Sequence, residues 1–363
     1  MTTNTIRLKL EKELNSIPQL SPANGIIIFG AGNTSALYQK CFEKEGIKPL
    51  FYVDNNVSKH GTLFYGVQII SFDDLVKMKN ELQHDFPLVL ICSAITEVVD
   101  EIKKQLAAAA IDYFLMDQYI FSKHKQDILN VFDFLEEESK KLYAEVVITR
   151  INNLNISYDM VEENQYFTLP EFKKKKNNEI FVDLGAYVGD SIEQYLEIKS
   201  GTFKNIYAFE PNKRNFNAMK YRVERLNKEW ALNEGKIILI NAGVGRNTTN
   251  LYMANDNNET PSLAACISEN IEGDEIVIYS LDDYFADSNV SFIKADIESY
   301  EYDMLLGAQN VIKKNKPLLA ICIYHNASDI FSIPLLIKSI MPEYKISIAH
   351  HSVEQAETVL YAY

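Results

Sequence analysis

Between Asp183 and Asp190 the chain reads Asp-Leu-Gly-Ala-Tyr-Val-Gly-Asp, two carboxylates bracketing a turn with glycines at 185 and 189. An apolar run, Ile180-Phe181-Val182, leads into it, and a polar-apolar helical pattern leaves it near Ser191. Glycine permits positive φ and close approach of backbone to a ligand. A second apolar run, Asn205 to Phe209, ends in Glu210-Pro211-Asn212. A glycine turn between strand and helix, with a carboxylate at the tip of the next strand, is how doubly wound sheets hold a nucleoside through its ribose hydroxyls. A pyrophosphate asks for bare backbone at a helix N-terminus, as in Gly-x-Gly-x-x-Gly. This turn offers acids instead, which suit the ammonium and sulfonium of S-adenosylmethionine. Asp183, Gly185, Ala186, Tyr187, Gly189, Asp190, Glu210, Pro211, Asn212 and Ala242 are the expected contacts of that donor.

A second set of groups could move a proton. Ser291 to Glu301 reads as a strand ending at Asp296, with Glu298 two residues on. Ligands of doubly wound sheets bind at such carboxyl ends. Carboxylates such as Glu298 and Glu301 also favour a helix start, so Glu298 fits either role. Ala320 to Ile323 is another apolar run and leaves Tyr324 and His325 at its end. An imidazole can accept a hydroxyl proton near neutral pH. Asp296, Glu298 and His325 are therefore the catalytic candidates, and His350-His351 forms a further pair beyond the next strand. These carboxylates and imidazoles leave a divalent cation open, with no ligand set assigned.

Placing these groups requires an αβ series from 178 to 363. Its expected strands are 180–183, 205–209, 236–241, 291–295, 317–323, 344–348 and 358–363. Polar residues 254–260 are expected to form a loop on the ligand side, either covering a substrate or simply inserted.

A second αβ series occupies residues 25 to about 120, with expected strands at 26–29, 49–53, 88–92 and 113–116. Gly30-Ala31-Gly32 follows the first strand and Asp54 ends the second, a degenerate dinucleotide fingerprint with Ser35 in the third glycine place. Gly30, Gly32 and Asp54 are thus an expected nucleotide site. Between the halves, apolar residues at helical spacing predict one long helix over Asp127 to Ile151. The fold class is α/β, with two Rossmann-like doubly wound domains. Its divisions are a domain at 1–122, a helical connector at 123–177 and a second domain at 178–363.

Composition excludes several classes. The 363 residues are 47% hydrophobic and 24% charged, values of a globular chain, with room for two domains. A net charge of −14 argues against a nucleic-acid partner; Lys173 to Lys176 reads as a solvated linker. Four separated cysteines without Cys-x-x-Cys spacing point to a reduced, cytoplasmic protein. No apolar run reaches the ~18 residues of a membrane span. A homo-oligomer is left open.

Taken together, these motifs resemble the FkbM-type S-adenosylmethionine-dependent methyltransferases over roughly residues 160 to 363. Phe181 to Ser191, Phe209-Glu210-Pro211-Asn212, Ser280-Leu281-Asp282-Asp283, Ile293 to Glu298, Leu306-Gly307-Ala308 and Tyr324-His325 carry the likeness. The resemblance implies a seven-stranded class I methyltransferase fold. It also implies O-methylation of a hydroxyl on a small-molecule or sugar-linked acceptor, in surface polysaccharide or natural-product biosynthesis. Ser299 departs from it, standing where the family has glycine. The N-terminal half resembles the small Rossmann-like domain of polysaccharide-biosynthesis enzymes, through Gly30-Ala31-Gly32, Tyr52 to Asn55 and Gly66-Val67. Two rivals remain: an NAD- or nucleotide-sugar-dependent oxidoreductase or epimerase using that half, and a non-catalytic scaffold.

Overall fold

The computed structural model describes residues 2–174, 176–254, 267–268 and 273–363. The chain divides into two compact units. The first contains the residues up to Val161 with Tyr324–Phe331 and Ser352–Ala356; the second contains Glu162–Ile323, Ser332–His351 and Glu357–Tyr363.

In the first unit, strands β1 (Ile26–Phe29), β2 (Pro49–Val53), β3 (Leu63–Phe64), β4 (Val67–Ile70), β5 (Leu88–Ile91) and β6 (Tyr113–Leu115) form a sheet in the order β3-β4-β2-β1-β5-β6. All neighbours are parallel except the edge hairpin β3–β4. Ile27, Phe29, Val53, Val89 and Ile91 pack against Val99, Ile102 and Leu106 of the helix Thr96–Ala108. Burying β-branched strands under an amphipathic helix is what the alternating apolar runs encode.

Two expectations for this unit are corrected. Met116 begins the helix Met116–Lys123 rather than ending a strand. The long helix over Asp127 to Ile151 is two helices, Lys125–Phe134 and Glu137–Asn152. Leu135 is extended, at φ −64 and ψ 150, and buried, so the apolar spacing runs through the break. Glu137 and Glu138 then occupy the first turn of the new helix, where carboxylates favour its positive end.

The second unit is built on a seven-stranded sheet of β7 (Ile180–Leu184), β8 (Asn205–Phe209), β9 (Ile237–Ile240), β14 (Phe292–Ala295), β15 (Leu318–Cys322), β16 (Ile346–His350) and β17 (Thr358–Ala362). Its order is β16-β17-β15-β14-β7-β8-β9, and only β17 runs antiparallel, between β15 and β16. The expected α/β class and the seven-stranded arrangement both stand. Inward-facing rings fix the centre of the sheet. Phe181 of β7 stacks on Phe292 of β14 at 4.7 Å, with Phe167, Phe172 and Tyr195 around them.

A second, four-stranded sheet escapes the sequence reading. It comprises β10 (Gly243–Val244), β11 (Thr249–Ala254), β12 (Ile267–Ser268) and β13 (Gly273–Tyr279), in the order β10-β13-β11-β12. Ile276 and Ile278 are buried while Glu275 and Val277 face outward, the period-2 pattern of a half-covered strand. Of the expected loop at 254–260, residues 255–260 lie outside the described residues.

Candidate active site

The order of the large sheet reverses between β7 and β14, and both strands end there in a turn. Such a switch point opens a crevice at the carboxyl edge. Here a cavity of about 240 Å³ lies among the ends of β7, β8, β9 and β14. Gly185 leaves β7 at φ +72, and a Cβ on it would stand 1.8 Å from the carbonyl oxygen of Asp296. Only glycine lets the two turns pass this closely. Gly189, at φ +82, then opens the helix Asp190–Lys199.

Glu210 sits at the tip of β8, 6% exposed. One carboxylate oxygen accepts the Tyr187 N–H at 2.9 Å and the other accepts the Asn212 N–H at 2.9 Å. Burial pushes its pKa up to about 7, the two N–H donors holding it back from rising further. Asn241 secures the same tip by donating to the Glu210 carbonyl at 2.8 Å.

Beneath the turn lies an ion pair that the sequence reading did not single out. Lys294, an interior residue of β14, is 3% exposed and reaches the fully buried Asp183 carboxylate at 3.2 Å. Its ammonium also donates to the Gly185 carbonyl at 2.7 Å, and it lies 4.9 Å from the centre of the Tyr166 ring. Burial alone would lower the Lys294 pKa; Asp183 and Asp296 reverse this and hold it above the usual lysine range. Burial raises the Asp183 pKa, against the opposing pull of Lys294 and of the Ser191 hydroxyl, which donates to it. One charged residue inside Phe-Ile-Lys-Ala was the signal that could have found this lysine, since an unpaired buried ammonium is not tolerated.

Tyr166 donates its hydroxyl to Asp296 at 2.6 Å, and Gln165 beside it bonds to Glu357. Tyr166, Tyr187, Glu298 and Glu357 all line the cavity and all have positive φ, at 69°, 47°, 54° and 67°. Strain of this kind persists where surrounding structure enforces it, and it gathers at functional sites.

The cavity brings together Gly185, Tyr187, Asp190, Glu210, Pro211, Asn212, Ala242, Asp296 and Glu298 from the expected set, and adds Gln165, Tyr166, Lys294, Tyr300 and Glu357. Asp183, Ala186 and Gly189 do not line it; the Asp183 carboxylate acts through Ser191 and Lys294 below the floor. His325 falls in the first unit, 4% exposed, its ring 4.2 Å from that of Tyr324. Of the pair expected at a rim, His350 is internal and His351 is half-buried. His350 is buried and bonded to the Thr358 hydroxyl at 2.8 Å; His351 bonds to the Glu162 carbonyl and the Tyr361 hydroxyl.

In the first unit, Gly30, Gly32 and Asp54 line a cavity of about 310 Å³ at the carboxyl edge of the six-stranded sheet. Asp54 is already engaged there. It accepts the Ala31 N–H at 3.1 Å, the Asn56 N–H at 2.8 Å and the Lys59 ammonium at 2.9 Å. Its carboxylate thereby ties down the glycine turn beside it.

Residues 183–347 match the methyltransferase FkbM domain family, and residues 23–113 match the C2185-like N-terminal family. The structure is similar to that of methyltransferase FkbM from Methylobacillus flagellatus KT, at TM-score 0.53 and 20% identity, over 98% of this chain and 93% of that one. Two others are a putative rRNA-methylase from Clostridium thermocellum and a UDP-D-quinovosamine 4-dehydrogenase from Vibrio fischeri. The first has TM-score 0.35 and 8% identity over 53% of this chain and 88% of that one. The second has TM-score 0.22 and 21% identity over 27% and 84%. No curated protein is significantly similar in sequence. Among the described residues no helix is long and apolar enough to cross a membrane.

Proposed function

Taking residues 183–347 as an FkbM methyltransferase domain, we propose that the second unit is an S-adenosylmethionine-dependent O-methyltransferase acting on a hydroxyl of a small or sugar-linked molecule. The observation that carries the reading is Glu210. It is a nearly buried carboxylate held by two backbone N–H groups at the tip of β8, facing the turn whose Gly185 meets Asp296. When bound, the donor supplies an electrophilic methyl on a sulfonium.

The chain's own residues then have separate tasks. Glu210 accepts the ribose hydroxyls. The Gly185–Tyr187 turn and Asp190 face the methionine end. Asp296 receives the acceptor's hydroxyl proton, and Tyr166 fixes its orientation. Direct methyl displacement gains most from alignment, which the close approach of the Gly185 and Asp296 turns supports.

Methyl transfer from radiolabelled S-adenosylmethionine into hydroxyl-bearing acceptors tests this. Asp296→Asn should lower turnover by about 100-fold or more, the scale of a lost general base, while leaving the affinity for S-adenosylhomocysteine within twofold. Full turnover in that variant would refute the role. Repeating the assay with a chelator tests the divalent-cation expectation.

A further inference from the structure

The first unit holds a second cavity, of about 190 Å³, at the carboxyl ends of β5 and β6. Ligands of doubly wound sheets enter at that edge. Residues 91–95 and 115–117 line it with Arg150 and Asn153, and His325 lines it with Tyr324.

The base of this cavity is charged and buried. Arg150 is 4% exposed. It donates its Nε–H to Asp117 at 2.7 Å, one terminal N–H to the Tyr324 carbonyl at 3.3 Å and another to the Tyr38 hydroxyl at 3.0 Å. Tyr38 in turn donates to the other carboxylate oxygen of Asp117. A guanidinium carries five N–H donors, and these contacts engage three of them. Buried donors are matched as a rule. Two N–H groups of a buried, cavity-lining side chain therefore call for acceptors beyond those that the described residues supply.

Charge decides what kind of acceptor fits. Asp117 already balances Arg150, and Glu354 stands on the same wall. A phosphate or carboxylate would bring an uncompensated negative charge against a buried pair that is already neutral. Leu37, Ile91, Leu115 and Met116 give the cavity apolar walls, and Ile95, 58% exposed, adds another at its rim. Neutral oxygens on a body with apolar C–H faces describe a sugar ring. Its hydroxyls reproduce the hydrogen bonds of the water they displace, and its C–H faces cover the apolar walls.

We propose that the first unit is a sugar-binding module whose cavity holds one uncharged glycosyl ring, with a hydroxyl oxygen on Arg150. The site shares no residue with the donor cavity and stands whether or not that cavity binds S-adenosylmethionine.

Saturation-transfer NMR on the full chain tests this. The probes are the neutral methyl glycosides of glucose, galactose, mannose and N-acetylglucosamine, with glucuronate and inorganic phosphate as charged counterparts. At least one neutral glycoside should bind saturably at millimolar concentration or below, and more tightly than either anion. Arg150→Met alone would strand the Asp117 carboxylate, so it is combined with Asp117→Asn, which keeps an acceptor for Tyr38. The double variant should weaken binding by about tenfold or more, the scale of a lost hydrogen bond to a charged donor. Ile95→Trp narrows the rim from an exposed position that the fold does not depend on, and it should weaken binding as well. Both variants should leave the affinity for S-adenosylhomocysteine within twofold. Preference for glucuronate or phosphate, or glycoside binding undiminished in either variant, would overturn the assignment. So would the absence of binding by every neutral probe.

Discussion

Replacing Lys294 with methionine removes the ammonium and keeps most of the side-chain volume. Lys294 is 3% exposed and Asp183 is fully buried, with 3.2 Å between ammonium and carboxylate. At that separation and an effective dielectric near 20, their attraction is about 5 kcal/mol. Desolvation offsets much of it while both partners are present, but the substitution leaves a buried carboxylate with no compensating charge. The expected loss of stability is about 3–5 kcal/mol. Asp183→Asn in the same background should recover a large part of this, because the amide can still bond to Ser191. Trp230, the chain's one tryptophan, belongs to the second unit, so urea unfolding followed by its fluorescence reports on that unit. The deficit must also depend on pH. Burial already raises the Asp183 pKa above its unfolded value, and losing Lys294 raises it further. Stability is then retained at low pH and lost as pH rises through the folded pKa, so the variant's deficit should grow as pH is raised and shrink as it is lowered. A loss below about 1 kcal/mol, or a double variant no better than the single, would refute the ion pair as the support of the turn.

Three further outcomes follow from the same geometry. Gly185→Ala places a methyl 1.8 Å from the Asp296 carbonyl at φ +72; donor affinity, read by calorimetry, should fall beyond detection even where the protein remains folded. Ser299→Gly should stabilise the second unit by about 0.5–1 kcal/mol in urea unfolding. It relieves φ +73 and removes a buried hydroxyl for which no partner is found among the described residues. Affinity for S-adenosylhomocysteine should decline as pH falls through about 7, approaching tenfold per unit below it, because the ribose hydroxyls need an ionised Glu210 and burial holds its pKa near there. Glu210→Gln should bind weakly at every pH.

Much of this architecture could be read from residue order. The run Ile180 to Asp190 announces strand, turn and helix through apolarity and glycine spacing, and Glu210 follows at the interval that brings two strand tips together. The departure at Ser299 was also visible, and the structure gives its physical content, since the residue sits in the left-handed region that glycine occupies freely. What stayed hidden depended on tertiary approach. Tyr166 comes from a segment with no regular pattern and meets Asp296 across 130 residues of chain. Glu357 reaches the cavity from the loop before the last strand. The carboxylate of Asp183 was expected to touch the ligand, yet the pleat of β7 turns it inward to Lys294. The helix break at Leu135 was invisible because its side chain remains buried at the helical interval.

The proposed donor site of the second unit is built around Glu210. Calorimetric titration of the full chain with S-adenosylhomocysteine at pH 8, beside Glu210→Ala, tests that most directly. Saturable one-to-one binding that the substitution abolishes is the predicted result. Absence of binding by the wild type, or equal binding by the variant, would contradict it.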